Sequence, residues 1–280
     1  MEIIETAKSL QTLINQDKTQ GKTVGFVPTM GALHAGHLSL VKRCKKENDI
    51  TVVSIFVNPT QFNDKGDLDR YPRTLAADAR LLQSLGCDYL FAPAESEVYP
   101  APDTRIFDFG ALDKAMEGAH RPGHFNGVAQ VVSRLFAMVQ PARAYFGEKD
   151  FQQLAIVTEM VRQLALSVQV VRCPTVREPD GLAMSSRNAL LNPAQRKAAP
   201  LIAKTLFAAV DKVCSTELNI IKKFVTGEIN ANPELRVEYF DVVNARTLQP
   251  VASLDEDCPK QACIAVHAGK VRLIDNVRIS

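Results

Sequence analysis

The sequence predicts an α/β fold: a Rossmann-like parallel sheet with helices on both faces, plus a smaller C-terminal α+β domain. Three observations lead to this prediction. The chain has 280 residues, 46% of them apolar, which is enough for more than one hydrophobic core. Strand-like and helix-like runs alternate up to residue 175, as in a parallel sheet. Two helices and then three strands follow, so we divide the chain into residues 1–175 and 176–280.

The elements of the first domain follow from their residue patterns. Residues 50–57 (ITVVSIFV) form a continuous β-branched run, which is typical of a parallel strand that is covered on both faces. A helix over residues 75–85 ends before Gly86, a residue suited to the position after a helix. The other predicted strands are residues 22–27, 89–91, 142–146 and 167–171. The other predicted helices are residues 38–46, 125–139 and 151–166.

The second domain opens with a polar loop, residues 177–192, that is rich in Gly, Ser, Asp and Pro. Its predicted helices are residues 193–214 and 217–226. Its predicted strands are residues 236–243, 262–268 and 271–274. Helices followed by strands indicate an α+β arrangement.

The composition excludes several functional classes. With 33 basic and 31 acidic side chains, the net charge of +2 argues against a protein that holds nucleic acid by bulk charge. No stretch approaches the roughly 20 apolar residues that span a membrane, and the first residues lack a signal-peptide pattern. The six cysteines are scattered, and Cys258, Cys263 and His267 lack the spacing of a zinc site. We therefore expect a cytoplasmic protein with reduced thiols.

The most informative motif is PTMGALHAGH, residues 28–37, between a predicted strand and a predicted helix. His34 and His37 are three residues apart and share one side of the first helical turn. Gly36 lets a ligand approach the backbone, while the helix N-terminus offers free N–H groups and a positive dipole end. The combination predicts binding of a phosphate chain. Surface or capping histidines are the alternative interpretation.

Two further motifs suit a nucleotide. Residues 184–187 (MSSR) offer two hydroxyls and a guanidinium, although an N-cap serine in a loop is an alternative. Residues 146–153 (FGEKDFQQ) cross from a strand into a helix, where open α/β sheets place ligands. Gly147 there permits close approach and Lys149 suits an α-phosphate. Asp150 either accepts bonds from ribose hydroxyls or caps the helix.

Six blocks together resemble the pantothenate synthetase (pantoate–β-alanine ligase) family of the HxGH nucleotidyltransferase superfamily. They are residues 28–37 (PTMGALHAGH), 56–62 (FVNPTQF), 71–74 (YPRT), 121–125 (RPGHF), 146–154 (FGEKDFQQL) and 174–188 (PTVREPDGLAMSSRN). The blocks occur in the family's order. The C-terminal third is similar only in length and in the order of its elements.

The resemblance implies an ATP-dependent ligase that condenses (R)-pantoate with β-alanine to pantothenate through pantoyl adenylate, releasing AMP and pyrophosphate. It implies ATP with Mg²⁺, a homodimer, and no nucleic-acid or membrane partner. Residues 1–175 would bind ATP and pantoate, and residues 176–280 would close over the active site. The alternatives are a nucleotidylyltransferase that acts on a phosphorylated substrate and a catalytically silent ATP-binding regulator.

The resemblance also assigns roles to residues. The implied catalytic residues are His34, His37 and Lys149. The implied ATP-binding residues are Thr29, Met30, Gly31, Ala32, Leu33, His34, Ala35, Gly36, His37, Gly147, Glu148, Lys149, Asp150, Val176, Met184, Ser185, Ser186 and Arg187. The implied residues for pantoate and β-alanine are Met30, Asn58, Gln61, Phe62 and Gln153.

Three of these assignments leave alternatives open. His37 acts either as a proton donor or as an electrostatic stabiliser. Asp78 is the implied Mg²⁺ ligand, with Ala77 standing where the family often has a second acidic residue, and an ordinary exposed helix carboxylate is the alternative. His124, in the RPGHF block, is either a buried structural histidine or part of a lid or interface.

Overall fold

A computed structural model describes residues 1–63, 65–213 and 216–279. The chain forms two compact units. The first consists of Met1–Phe109, Arg121–Glu148 and Gln153–Pro174. The second consists of Gly110–His120, Lys149–Gln152 and Thr175–Ser280. Two short segments from the N-terminal part of the chain therefore belong to the second unit.

Six parallel strands form the sheet of the first unit, and the predicted α/β class is confirmed. The strands are β1 (Glu2–Ile4), β2 (Val24–Thr29), β3 (Ile50–Ile55), β4 (Tyr89–Phe91), β5 (Arg143–Gly147) and β6 (Gln169–Cys173). Their order across the sheet is β1-β4-β3-β2-β5-β6. The α-helices of the chain are α1 (Ala7–Thr19), α2 (Ala35–Glu47), α3 (Lys65–Arg70), α4 (Leu75–Ser84), α5 (Glu95–Val98), α6 (Met116–His120), α7 (His124–Val139), α8 (Phe151–Gln163), α9 (Pro193–Ala198), α10 (Pro200–Lys212) and α11 (Leu218–Asn230).

The central strands are buried on both faces because helices cover both sides of the sheet. Neighbouring residues of a strand point to opposite faces. Val27 packs with apolar residues of α2 and α4, including Val41 and Leu82. Phe26, on the other face, meets Phe136 of α7 edge to face, with ring centroids 6.2 Å apart. Each such buried side chain stabilises the fold by roughly 1.5–3 kcal/mol.

The strand order reverses beside β2. From β2 the chain continues to β3 on one side, and later adds β5 on the other, in parallel register through Phe26 and Ala144. The segments that follow β2 and β5 therefore leave the same edge of the sheet at neighbouring positions. Such a reversal is where open α/β sheets bind ligands.

The second unit contains a three-stranded antiparallel sheet of β7 (Leu235–Asn244), β8 (Lys260–Ala268) and β9 (Val271–Arg278), in that order. The hydrophobic core of the unit lies between one face of this sheet and the helices α10 and α11. The predicted α+β arrangement is confirmed. On the other face, Arg272 bonds Glu117 of α6 through two 2.7 Å contacts. Burial opposes ionisation of Glu238, but Arg272 and His267 hold the pKa of that carboxyl below its usual value.

Several elements differ from the prediction. The prediction of a single helix over residues 193–214 is wrong: Pro200 has no N–H to continue the first helix, so the stretch divides into α9 and α10. Cys214 lies outside the described residues. The sequence patterns do not predict β1 and α1, because a three-residue strand and a mostly polar helix carry a weak hydrophobic pattern.

Candidate active site

The loop between β2 and α2 is tightly bonded at its start. Thr29 Oγ1 donates to the Ser54 carbonyl at 2.8 Å and accepts from the Gly31 amide at 3.1 Å. Gly31 and Ala32 then adopt left-handed backbone, with φ of +81° and +50°. A side chain at Gly31 would be strained for two reasons: the backbone there is left-handed, and the added Cβ would lie 3.0 Å from Ile55 Cγ2.

A buried carboxylate holds this loop from behind. Asp78, in α4, is 2% exposed. Its Oδ2 accepts from the Ala32 amide at 3.0 Å and its Oδ1 from the Leu33 amide at 2.8 Å. The Thr74 hydroxyl also bonds Oδ2, at 3.0 Å. The interpretation of Asp78 as an exposed helix carboxylate is therefore wrong: its two oxygens fix the backbone of the loop.

His34 and His37 form a capping box at the start of α2. Nδ1 of His34 accepts from the Gly36 amide at 3.2 Å, and Nδ1 of His37 accepts from the His34 amide at 3.4 Å. The ring centroids are 4.1 Å apart. Because each neutral ring accepts at Nδ1, its proton lies on Nε2. The capping interpretation is thus correct, and capping leaves both rings in the tautomer that donates from Nε2.

Gln61, which follows β3, contacts Met30 in the loop between β2 and α2, with Gln61 Nε2 3.0 Å from Met30 Sδ. Asn58 is 1% exposed and sits behind it, donating to Gln61 Oε1 at 3.2 Å. Tyr99 donates to Asn58 Oδ1 at 2.9 Å. The amide of Asn58 is used within the protein, so the structure gives Asn58 a part in orienting Gln61.

His124 belongs to the same cluster. It is buried at the start of α7, and its Nδ1 lies 2.9 Å from the Gln61 carbonyl oxygen. Arg121 lies 3.1 Å from its Nε2. Because a carbonyl only accepts, Nδ1 carries the proton and Nε2 accepts from the guanidinium. Gly127 lets α7 come close, because a Cβ there would lie 2.5 Å from the Thr60 carbonyl oxygen. The structural interpretation of His124 fits this arrangement.

Other predicted residues of the first unit lie near the ends of β3, β5 and α8. Phe62 packs on the buried Tyr71, with ring centroids 5.7 Å apart. Around Gly147, a Cβ would meet no atom within 4 Å. The side chain of Gln153 is half-buried and makes no hydrogen bond in the described part of the chain. Glu148 pairs with Arg172 at 3.3 Å.

In the second unit, Lys149 and Asp150 belong to a 3-10 turn before α8. The Lys149 side chain is 18% exposed, and its Nζ lies 3.8 Å from Asp150 Oδ1. The Lys149 carbonyl accepts from Asn276 Nδ2 at 2.8 Å. The backbone of the segment is thus tied to β9.

The loop that carries Met184, Ser185, Ser186 and Arg187 begins with a small hairpin. The Met184 amide donates to the Val176 carbonyl at 3.0 Å. Arg177 makes two hydrogen bonds to Asp275, of 2.7 and 2.9 Å. Ser185 Oγ accepts from the Arg187 amide at 3.3 Å, so the N-cap interpretation holds for this serine.

Two kinds of feature are relevant in residues 1–63, 65–213 and 216–279: clusters of metal-binding side chains and membrane-spanning helices. These residues contain no group of three or more His, Cys, Asp or Glu side chains that could hold a metal ion. They also contain no helix long and apolar enough to cross a membrane. The five cysteines among them are free thiols, and burial raises the pKa of Cys44 and Cys87 to about 12.

The parallel sheet, with two imidazoles at the start of α2 beside its strand reversal, defines an α/β protein with a Rossmann-like fold. Residues 2–278 match the family model described as pantoate-beta-alanine ligase. The chain belongs to this family.

Known members resemble it along its whole length. A pantothenate synthetase from Bacteroides fragilis (strain YCH46) is 56% identical over 278 residues, which is 99% of each chain. The crystal structure of pantothenate synthetase from Thermus thermophilus has a TM-score of 0.93 at 45% identity, covering 100% of this chain and 99% of that one. A pantoate-beta-alanine ligase from Francisella tularensis, complexed with beta-gamma ATP and beta-alanine, has a TM-score of 0.85 at 37% identity, covering 100% and 98%.

Sequence reasoning alone misses the residues that hold the site together. Thr74 and Arg121 stand inside recognised blocks. Thr74 bonds Asp78, four residues further on, and Arg121 donates to the Gln61 carbonyl, 60 residues away. Asp275 and Asn276 lie in a strand without a motif. The available signal is a carboxylate and an amide side by side in the middle of a strand pattern.

Proposed function

We propose that the chain is an ATP-dependent ligase that joins (R)-pantoate to β-alanine through pantoyl adenylate. The paired Nε2–H donors of His34 and His37, fixed at a helix N-terminus beside the strand reversal, carry this proposal. Membership of the pantoate-beta-alanine ligase family supplies the substrates. The function rests on both, since the fold alone supports many activities.

In the first step, a carboxylate oxygen of pantoate attacks the α-phosphorus of ATP. The bond from that phosphorus to the bridging oxygen breaks, and pyrophosphate leaves. Negative charge grows on the phosphoryl oxygens, so fixed donors lower the barrier. We assign His34 and His37 to this task as hydrogen-bond donors through Nε2. The two roles considered for His37 are proton donor and electrostatic stabiliser. Because its Nδ1 accepts from the His34 amide, the ring is neutral, and we assign it the role of electrostatic stabiliser.

Residues of the second unit are also assigned to ATP. Lys149 is assigned to the α-phosphate and the pantoate carboxylate, since an ammonium group binds both anions. Three loop residues are assigned to the β- and γ-phosphates: Ser185, Ser186 and Arg187. The backbone at Val176 is assigned to adenine, and Met184 to ATP without a particular group. Asp150 is assigned to the ribose. Gly147 is assigned there too, and the open space beside it supports close approach of a ligand.

Pantoate has two hydroxyls and a dimethyl carbon. Gln61 and Gln153 offer neutral amides for its polar groups, and the unused amide of the half-buried Gln153 supports this assignment. Met30 and Phe62 offer apolar surface for the dimethyl carbon. Asn58 acts from behind by orienting Gln61.

In the second step, the amine of β-alanine attacks the acyl carbon of pantoyl adenylate. The bond from that carbon to the phosphate oxygen breaks, AMP leaves, and the amine loses a proton to water. Holding both reactants in one enzyme makes this step effectively intramolecular, which can lower the barrier by several kcal/mol.

Magnesium, the homodimer and the cytoplasmic location are parts of the same proposal. Mg²⁺ would reach the enzyme with ATP, bound mainly by phosphate oxygens. Asp78 does not fit a direct ligand well, because its oxygens accept three hydrogen bonds. The free thiols of the described cysteines suit a reducing compartment.

The decisive experiment is pantoate-dependent exchange of labelled pyrophosphate into ATP with Mg²⁺, followed by measurement of AMP when β-alanine is added. We expect exchange only with pantoate. Formation of ADP, or AMP formation independent of pantoate, would contradict the proposal. Exchange with a phosphorylated substrate instead would support a nucleotidylyltransferase, and ATP binding without exchange would support a silent regulator.

Lys149→Ala tests the assigned role of one residue. If Lys149 stabilises the transition state, the exchange rate falls far more than ATP affinity. Equal losses in both would make Lys149 a ground-state anchor. Lys212→Ala, a lysine of α10 in the same unit, is the matched control and leaves both values unchanged.

A further inference from the structure

One strand of the second unit contacts both segments that carry its proposed ATP-binding side chains. In β9, Asp275 pairs with Arg177 at the base of the hairpin that leads to Met184, through bonds of 2.7 and 2.9 Å. The next residue, Asn276, donates to the Lys149 carbonyl at 2.8 Å. Asp275 and Asn276 are 4% and 6% exposed. Both contacts are therefore largely shielded from competing water.

The two contacts lie on opposite faces of the small sheet, because successive residues of a strand alternate. Asp275 shares its face with Leu273 and Val277, which belong to the core against α10 and α11. Asn276 shares its face with Arg272, which binds Glu117 of α6. A single rigid strand thus reaches one phosphate-binding segment from each face.

A third residue orients the amide of Asn276. Gln261, in β8, is 9% exposed and donates from Nε2 to Asn276 Oδ1 at 2.6 Å. Since Oδ1 is engaged as an acceptor, Nδ2 is directed towards the Lys149 carbonyl, which can only accept. If stability were the sole requirement, apolar side chains of similar volume could replace these buried polar groups. The chain instead uses directional bonds to one backbone atom of Lys149 and to one side chain of the hairpin.

We propose that Asp275 and Asn276 are positioning residues that set the placement of Lys149 relative to the loop from Met184 to Arg187. The proposal rests on the proposed function, which assigns both segments to ATP. The chemistry is sensitive to such placement: a displacement of about 1 Å in a catalytic group can reduce the rate about 10²-fold. Substrate binding, which spreads over many contacts, is less sensitive.

The test uses the full-length enzyme and the pantoate-dependent pyrophosphate exchange assay. Asn276→Asp keeps size and keeps an acceptor for Gln261, but replaces the donor to the Lys149 carbonyl with an oxygen. We expect kcat for exchange to fall about tenfold while KM for pantoate stays within about twofold. In a Lys149→Ala background, measured with excess enzyme, the same change should alter the rate less than about twofold.

Gln261→Ala is a second variant that leaves Asn276 in place but frees its amide to rotate. It should lower kcat by about threefold, again only when Lys149 is present. Asn230→Ala is the matched control. In the wild type, the backbone amide of Val237 donates to Asn230 Oδ1 at 2.8 Å, elsewhere in the same unit. Asn230→Ala removes this bond and should leave kcat unchanged.

The outcomes separate the two levels of the argument. Absence of pantoate-dependent exchange in the wild-type enzyme would overturn the proposed function. An active wild type with unchanged kcat in both Asn276→Asp and Gln261→Ala would overturn the positioning role alone. Equal fold-losses with and without Lys149 would also overturn it, because they would show a general structural effect. A loss of kcat that occurs only when Lys149 is present, with the Asn230→Ala control unchanged, supports the positioning role.

Discussion

Two of the segments that carry proposed phosphate-binding groups are loops, and each loop is held by a buried carboxylate from a distant part of the sequence. In the first unit, Asp78 accepts from the backbone amides of Ala32 and Leu33. In the second unit, Asp275 binds the guanidinium of Arg177. The first carboxylate thus fixes the main chain of its loop directly, whereas the second fixes one side chain at the base of its hairpin.

This difference separates the two loops physically. The first loop includes left-handed backbone at Gly31 and Ala32, and Asp78 binds the amides next to it. The backbone conformation of the first loop therefore depends directly on its hydrogen bonds to Asp78. The second loop is anchored at Arg177, several residues before Ser185. Changes there should alter the stability of the unit and the placement of the loop to different extents.

The largest loss of activity should come from the first loop. His37→Ala removes an Nε2–H donor that is assigned to the α-phosphate, and we expect kcat for pyrophosphate exchange to fall about 10²–10³-fold. His267→Ala, which removes a histidine bound to Glu238 in the second unit, is the control. A loss of less than about fivefold in His37→Ala, or an equal loss in both variants, would contradict the assignment.

Asp78→Ala should have the next largest effect, because it leaves the Ala32 and Leu33 amides without their acceptor. We expect the free energy of unfolding to drop by about 3 kcal/mol and kcat to fall about 10²-fold. Denaturant unfolding and the exchange assay measure the two values. Asp69→Ala, in the exposed part of α3, should change neither. A normal kcat in a destabilised Asp78→Ala enzyme would show that the active conformation of the first loop does not depend on Asp78.

Asp275→Asn should affect stability more than activity. It leaves the Arg177 guanidinium with a neutral partner, which should cost about 3 kcal/mol of unfolding free energy and lower kcat about tenfold. The double variant Arg177→Met with Asp275→Leu replaces the pair by apolar groups. It should recover most of the stability and leave kcat low. Recovery of both together would show that the two loops do not differ in this way.

The smallest effects should come from a pair of glycines. Gly31 and Gly181 both have positive φ, of +81° and +92°. A Cβ at Gly31 would crowd Ile55 at 3.0 Å, whereas at Gly181 the nearest contact would be Ala203 at 3.9 Å. Gly181→Ala should therefore cost about 1 kcal/mol with little change in kcat, and Gly31→Ala about 2–3 kcal/mol with a several-fold loss. Equal costs would show that only backbone conformation matters.

Several features that depend on local pattern could be predicted from the sequence. The run from Ile50 to Val57 predicts a buried parallel strand, and the alternation of elements predicts the sheet. The His34 to His37 spacing predicts their common helical turn. Each of these features is visible in the order of neighbouring residues or elements, so no knowledge of distant contacts is needed.

The supports of the site could not be predicted, because each depends on a contact between remote residues. Asp78 lies 46 residues from Ala32, and Asp275 lies 98 from Arg177. In the sequence Asp78 reads as an exposed carboxylate or a metal ligand, and only its burial reveals its backbone partners. The sequence likewise gives no sign of the protein partners of Asn58, because two of them, Tyr99 and Gly127, come from distant parts of the chain.

The second unit is interrupted twice in sequence, and this restricts how it can be inherited. A recombination event near residue 175 would transfer the sheet of β7, β8 and β9 but leave behind Glu117 and Lys149. The transferred fragment would keep Arg272 without Glu117, and Asn276 without the Lys149 carbonyl. A chimera of two relatives joined near residue 175 would therefore depend on the other parent for groups equivalent to Glu117 and Lys149.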